Sequence, residues 1–339
     1  MRQDTMRAIE ARAFSIDALT LTERPVPAPG AGEILVRVKA ATLNYRDLAV
    51  LIGGYMPALP LPFIPVSDAC GVVEAVGEGV TRFAVGDRVV PCYIQTYHSG
   101  AITQEQRTQR TIGAPRDGVL RDYMTVPAED AVHAPAHLSD LEAAALPIAG
   151  LTAWTCLMTG GLQPGGTILV QGTGGVSLFA LQLAKAFGAR VIALTSTAEK
   201  ADLLKRLGAD AVINYRETPN WAGPVREATG GKGVDIVVET AGATLSESLA
   251  ATAYNGFIGV IGFVGGQEAS VNIRQLIGPG ARVQGIIVGH RDGLEALGRA
   301  MEVSDIHPVM DKAFPLEQAA DAFRHLKAAN HIGKVGISF

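Results

Sequence analysis

The first residues with the types and spacing for chemistry are Gly172-Thr173-Gly174-Gly175-Val176-Ser177. They follow the apolar run Thr167-Ile-Leu-Val-Gln171 and open the apolar stretch Leu178–Phe187. Small residues at such a junction permit a tight turn and let backbone N–H groups approach a pyrophosphate, which also gains from the positive end of the helix. A glycine string alone is equally well a plain turn. Here a buried strand precedes it, a helix follows it and further strand–helix steps come after, so the spacing reads as a dinucleotide loop. The third small position is Ser177 rather than glycine, still small enough for close helix–strand packing.

The end of the next strand bears on which dinucleotide. A carboxylate there normally binds the ribose 2′-OH of NAD. The chain instead has Thr195-Ser196-Thr197-Ala198-Glu199-Lys200, with no acid at the strand tip. Ser196-x-x-Glu199 fits a capping box, which gives Glu199 a structural task. Lys200 in a first helical turn opposes the macrodipole unless an anion sits nearby. A 2′-phosphate would be that anion, so the expected cofactor is NADPH with Ser196 and Lys200 as contacts. The alternative is a solvated surface lysine.

These residues need elements to position them. The first ~130 residues read as β-rich: Glu33–Lys39 and Gly71–Val76 are β-branched and part-alternating, and Gly30, Gly32, Gly77, Gly79 and Gly86 punctuate them. From Ala143 to Ala184 there is no charge, as expected where parallel strands are covered on both faces. The pattern predicts a helix over 140–160, strand Thr167–Gln171, helix Val176–Phe187, strand Arg190–Leu194, helix 198–207, strand Ala211–Asn214, helix 221–228, strand Val234–Glu239, helix 244–253 and strand Phe257–Phe263. Such alternation means a doubly wound parallel sheet of the α/β class. Strand Val283–Val288, helices Leu294–Val303 and Leu316–Ala328 and strand Gly333–Ser338 follow. This tail is too small for a core of its own and is expected to return to the first domain.

Composition narrows the function classes. The 339 residues suggest two domains. A net charge of −4 without a basic block leaves no footprint for nucleic acid. Cys70, Cys92 and Cys156 are too scattered for a disulfide framework or a metal knuckle. Residues 48–67 carry no charge, but Pro57, Pro60, Pro62 and Pro65 would leave a membrane helix with unsatisfied backbone. No membrane association is expected, and the charged N-terminal stretch fits a cytoplasmic protein.

The chain resembles the zinc-independent medium-chain dehydrogenases/reductases, in the quinone oxidoreductase and enoyl reductase branch. The marks are Leu43-Asn-Tyr-Arg-Asp47, Gly86-Asp-Arg-Val89, Gly150-Leu-Thr-Ala-Trp154, Gly172–Val176, Leu207-Gly-Ala-Asp210, Val212-Ile-Asn-Tyr215 and Gly333-Lys-Val335. The resemblance implies a GroES-like catalytic domain in two segments, 1–134 and 306–339, around a Rossmann domain at 135–305, with the active site in the cleft between them. It implies a homodimer or homotetramer joined in part near Val283–Val288. It places Thr152 beside the nicotinamide and Gly174, Gly175 and Val176 at the pyrophosphate. Tyr215 falls by the adenosine phosphate, Ala241, Gly262, Phe263 and Val288 along nicotinamide and ribose, and Lys334 near the cofactor phosphates. Tyr55 resembles the proton donor of related enoyl reductases, and Asn44 and Asp47 the family's polar pair. The alternatives are that Tyr55 walls an apolar pocket and that Asp47 fixes its loop.

Zinc-dependent relatives have a cysteine where this chain has Asn44, and Gly-His-Glu where it has Val66-Ser67-Asp68. Zinc needs several converging N, S or O donors, and Asn44 and Ser67 are poor ones. No metal is expected; His133 and His137 read as loop histidines, and Tyr45 and Arg46 as a solvated turn. Without zinc, hydrogen-bond donors must stabilise the developing charge and a side chain must deliver the proton. The Pro-rich segment 57–65 and the insertion 93–118 are expected at the mouth of the substrate site. The leading expectation is NADPH-dependent hydride transfer to a small, apolar quinone, enone or enoyl substrate. A zinc-free alcohol dehydrogenase or carbonyl reductase is the second reading, and a non-catalytic NADPH-binding protein of crystallin type the third.

Overall fold

Residues 4–339 are described by the structure, a computed structural model. The chain divides into two compact units: residues up to Leu151 with Gly289–Phe339, and Thr152–Val288.

The first unit is built on one mixed sheet. Its strands run in the order Met310–Pro315, Lys334–Ser338, Glu33–Thr42, Asp68–Val76, Arg88–Pro91 and Ala131–His133, with Tyr123–Pro127 also pairing Glu33–Thr42. Only the first pair is parallel. Alternation explains the central strand: Ile34, Val36 and Val38 are buried in the core while Arg37 faces out. Leu48, Leu51, Phe314 and Phe323 close that core, and a hairpin of Thr5–Ala11 with Leu19–Pro25 packs beside it. Register then brings distant residues together. Thr42 pairs with Asp68 on one side and Gly336 on the other, so Asn44, Asp68 and Lys334 meet at one end of three adjacent strands.

The second unit is a six-stranded parallel sheet in the order Ala211–Asn214, Arg190–Thr195, Thr167–Gln171, Val234–Glu239, Thr252–Val260 and Arg282–Gly285. The interior strands are apolar along most of their length because helices cover both faces. The strand order reverses direction between Thr167–Gln171 and Val234–Glu239. That reversal opens a crevice at their carboxyl ends.

The structure corrects several expected boundaries. The domain limits at 134/135 and 305/306 both lie inside the first unit. Helix Arg291–Ser304 buries Leu294, Leu297 and Met301 along one face and packs beside Ala131–His133 and Leu146–Gly150, which ties it to the first unit. The single helix over 140–160 is three pieces: Asp140–Ala143, a wide turn Leu146–Gly150 and Leu151–Gly160. Pro147 has no N–H to continue the first ladder. Strands expected at Phe257–Phe263 and Val283–Val288 lie at Thr252–Val260 and Arg282–Gly285. The insertion at 93–118 contains a short helix, Gln104–Gln109, capped by Thr103 with Gln106.

The turn after Asp68–Val76 sets a test of packing against backbone strain. A Cβ on Gly77 would lie 1.8 Å from the Gly30 carbonyl oxygen, whereas Gly79 has φ +79° and open space around it. Gly77→Ala should therefore cost about 2–3 kcal/mol by overpacking, and Gly79→Ala about 1 kcal/mol by left-handed strain. Urea melts of the two variants check this. Equal losses would show that the close approach is not what requires Gly77.

Candidate functional site

In the first unit, Asn44 precedes helix Tyr45–Leu51 and accepts its place through Asp47, whose Oδ2 takes the Asn44 backbone N–H at 2.9 Å. Asp47 Oδ1 accepts from the Ser67 hydroxyl at 2.5 Å. Asn44 Nδ2 donates to Asp68 Oδ2 at 2.8 Å. The Lys334 ammonium completes the cluster, donating to Leu43 O at 2.8 Å and Asn44 Oδ1 at 2.6 Å, and it lies 3.8 Å from Asp68 Oδ2. Asp47, Ser67, Asp68 and Lys334 are all buried. Burial pushes the Asp68 carboxyl up to about 7, against the pull of Lys334, and pushes the Lys334 ammonium below its ordinary value.

Two expectations change here. Lys334 is not available to a cofactor phosphate, because its Nζ is enclosed in the first unit by Leu43, Asn44 and Asp68. Asn44 joins the cluster through one N–H of Nδ2, given to Asp68, and through Oδ1, which accepts from Lys334. Arg46 is not a solvated turn: its guanidinium donates to Ser67 Oγ at 2.5 Å and to the carbonyls of Ile112 and Ala114 at 3.1 Å each. It also lies 3.5 Å from Asp47 Oδ1 and over the rings of Tyr93 and Tyr55, at 5.0 and 6.0 Å. Arg46 thereby links Asp47 to Tyr55. The Tyr55 hydroxyl accepts a hydrogen bond from Arg107. Lys334, Arg46 and Arg107 carried no local signal beyond their charge, and only chain pairing across long separations reveals their partners.

In the second unit, Gly172, with φ +77°, follows strand Thr167–Gln171, and helix Gly175–Ala186 starts after Gly174. No side chain caps that helix, and a Cβ at Gly174 would meet nothing within 4 Å. The helix start is therefore open at Gly174, with Thr173 and Val176 beside it in the chain. Ser177 is turned inward and donates to Gln171 O at 2.6 Å. This cradle fits a pyrophosphate. Ser196, Tyr215, Ala241, Gly262, Phe263 and Val288 all follow the carboxyl ends of successive parallel strands, on the same edge of the sheet as the glycine loop. Thr152 is buried on helix Leu151–Gly160.

Helix Ala198–Arg206 is capped by Thr197, whose Oγ1 accepts from Lys200 N at 3.3 Å. The capping box expected from Ser196 and Glu199 does not form, because the helix starts one residue later. Sequence reasoning also missed Glu239. Its buried carboxylate accepts from Gln171 Nε2 at 2.8 Å, Thr244 Oγ1 at 2.9 Å, Ser248 Oγ, and the N–H groups of Ala241 and Gly242 at 3.0 and 2.9 Å. Gln171 in turn accepts from Thr240 N–H at 3.0 Å. The two residues lock the loop carrying Ala241 at the crevice. An acid and an amide ending adjacent apolar strands were the available signal.

Among the described residues one group, His137, Asp305 and His307, brings three ligand-type atoms within 4.8 Å of one another. His307 lies 2.8 Å from Glu142 and 3.6 Å from Asp305, and the Glu142 hydrogen bond pushes its pKa up. His133 lies on a strand, not a loop, against Phe83.

Residues 30–136 match the family described as the alcohol dehydrogenase GroES-like domain, and residues 175–302 that described as zinc-binding dehydrogenase. A zinc-type alcohol dehydrogenase-like protein of Schizosaccharomyces pombe is 43% identical over 312 residues, covering 90% of each chain. A putative alcohol dehydrogenase from Sinorhizobium meliloti has a solved structure that aligns with a TM-score of 0.94 at 42% identity, over 100% of both chains. Acryloyl-coenzyme A reductase of Sulfurisphaera tokodaii is 30% identical over 93% of this chain and 95% of its own. Quinone oxidoreductases stand at a similar distance, and a mycobacterial relative is solved with NADPH. The chain belongs to the medium-chain dehydrogenase/reductase family and is an NAD(P)H-dependent oxidoreductase.

The donor set at Asn44, Ser67 and Asp68 does not fit a zinc ion. It offers an amide, a hydroxyl and one carboxylate, and the Lys334 ammonium already neutralises it.

Lys334 and Asp68 generate a pH-dependent prediction. The folded chain holds the Asp68 proton more tightly than the unfolded chain does. That contribution to stability is full below its ordinary 3.8 and lost as pH rises through about 7. Above 7 the carboxylate depends on Lys334. Lys334→Met should lose about 3 kcal/mol at pH 8, as when one partner of a buried pair is removed, and clearly less at pH 5.5. Denaturant melts at the two values test this; a loss independent of pH would dissociate Lys334 from Asp68.

Proposed function

We propose that this oxidoreductase uses NADPH to reduce an activated C=C bond, in an enone or enoyl compound, or a quinone, without zinc. The observation that carries the reading is the Lys334 ammonium seated among Asn44, Leu43 and Asp68, where zinc-dependent relatives have metal ligands. An unactivated carbonyl gains most from Lewis-acid polarisation. A conjugated acceptor needs less, because its own carbonyl withdraws the charge that hydride delivers.

NADPH, when bound, supplies the hydride. Backbone N–H groups after Gly174 would hold its pyrophosphate, and Ser196 and Lys200 its 2′-phosphate. Thr152, Tyr215, Ala241, Gly262, Phe263 and Val288 would line the rest. Tyr55 delivers the proton from its hydroxyl oxygen, which accepts from Arg107 and so keeps its own hydrogen for the substrate. Asn44 and Asp47 position the helix and cluster beside it. The exposed edge Arg282–Gly285, with exposed Ile277 and Tyr254 nearby, supports a homodimer joined there. The relatives described as alcohol dehydrogenases favour a second reading, carbonyl–alcohol interconversion on the same residues.

NADPH consumption with quinones, enones, enoyl thioesters and aldehydes separates the two. Turnover of enones or quinones is expected, insensitive to chelator; reaction with aldehydes alone would favour the second reading. Tyr55→Phe should lower kcat for enones by roughly 100-fold, the size of a lost general acid, and near-normal turnover would remove Tyr55 from that role. NADPH should be preferred over NADH, and Lys200→Ala should lower the preference roughly tenfold. A preference for NADH in the native protein contradicts the assignment of Lys200.

A further inference from the structure

Tyr55 and Tyr93 converge on the guanidinium of Arg107, which lies on helix Gln104–Gln109 in the insertion. That helix is tied down: Thr103 caps it, and Gln106 Nε2 donates to Thr96 O at 2.7 Å. Arg107 is thus a fixed, half-buried cation. Among the described residues, the nearby acids are engaged elsewhere. Glu105 pairs with Arg110 at 2.6 Å, and Asp47 is held by Ser67, Arg46 and the Asn44 N–H. No carboxylate lies within ion-pair distance of Arg107 among the described residues; its partners are phenols, which bring lone pairs but no formal charge. A second guanidinium, Arg46, stands over both phenol rings, adding to the positive potential. Two partly desolvated cations around one phenol with a single paired acid leave the site short of one negative charge.

We propose that Arg107 is the anion-binding residue of the acceptor site, and that the substrate is an unsaturated carbonyl compound bearing a carboxylate. The inference rests on the reading of Tyr55 as part of the substrate site. A planar guanidinium presents paired N–H donors that match a carboxylate. A carboxylate bound there would take up the unbalanced charge and set the conjugated bond beside the Tyr55 hydroxyl. Arg107 is then a specificity-determining residue, distinct from the proton donor it touches.

The probe is (E)-4-oxo-4-phenylbut-2-enoic acid against its methyl ester, which differ in the charge and little else. Calorimetry on the full chain with NADP⁺ present should show the acid binding roughly 10- to 100-fold more tightly, the range of a charge-assisted hydrogen bond. Added salt should weaken the acid and not the ester. Arg107→Gln should abolish the discrimination by lowering affinity for the acid alone, and Arg107→Lys should keep part of it. Equal binding of acid and ester by the native protein overturns the proposal. So does an equal loss for both in Arg107→Gln, which would reduce Arg107 to a brace for Tyr55. Turnover with NADPH is read separately. Discrimination in binding with no reduction of acid, ester or quinone would leave the anion site standing and defeat the reductase reading.

Discussion

The first unit's polar cluster depends on one ammonium taken out of water. Moving such a charge into a protein interior costs several kcal/mol even after relaxation. Lys334 recovers this through a backbone carbonyl, an amide oxygen and a nearby carboxylate. Those groups come from residues some 290 positions away along the chain and from a third strand, so the arrangement exists only while three strand ends stay in register. The energetics and the topology are one constraint. A one-residue slip would turn Lys334 and Asp68 toward opposite faces and strand both charges.

The second unit solves the inverse problem with a buried anion. Glu239 has no cationic partner among its hydrogen bonds; side-chain and backbone donors from Gln171, Thr244, Ser248, Ala241 and Gly242 surround its two oxygens. Neutral donors suffice because each is already ordered by the sheet or the loop, so little entropy is lost in aiming them. The consequence is a rigid turn at the point where the sheet's winding reverses, on the edge where the glycine loop opens. Both units thus hold a segment at the strand ends through a buried side chain and the hydrogen bonds around it.

What could be read from sequence follows from the range of the interaction responsible. The glycine loop, the parallel strands and the discontinuous first unit were legible, because turns, apolar runs and element size are local properties. Pro147 was visible, yet its effect on the 140–160 helix was not, since proline is compatible with a first helical turn as well as with a break. The cap lies at Thr197, one residue past Ser196, because either hydroxyl can cap a helix although only Ser196 has an acid three residues on. Lys334, Arg46 and Arg107 were legible only as charges. Their meaning lies in partners supplied by chain pairing, and the family resemblance that set Lys334 near the cofactor phosphates gave no sign that its ammonium is enclosed by Leu43, Asn44 and Asp68.

The same commitments limit the chemistry left to the site. Asn44, Asp47, Ser67, Asp68 and Lys334 bind one another, and within that cluster Asp68 Oδ1 is the buried oxygen left without a hydrogen-bond partner. Catalytic groups must change their interactions between ground and transition state to accelerate a reaction. On the proposed reading the interlocked part of the cluster is scaffolding, and the hydroxyl of Tyr55 with the guanidinium of Arg107 carry the chemistry. A phenol is a weak acid and a guanidinium a fixed charge. Together they can protonate a carbanion or stabilise an enolate, but they polarise an isolated carbonyl poorly beside a metal ion. The proposed conjugated acceptor, which carries its own electron-withdrawing group, is consistent with those two groups.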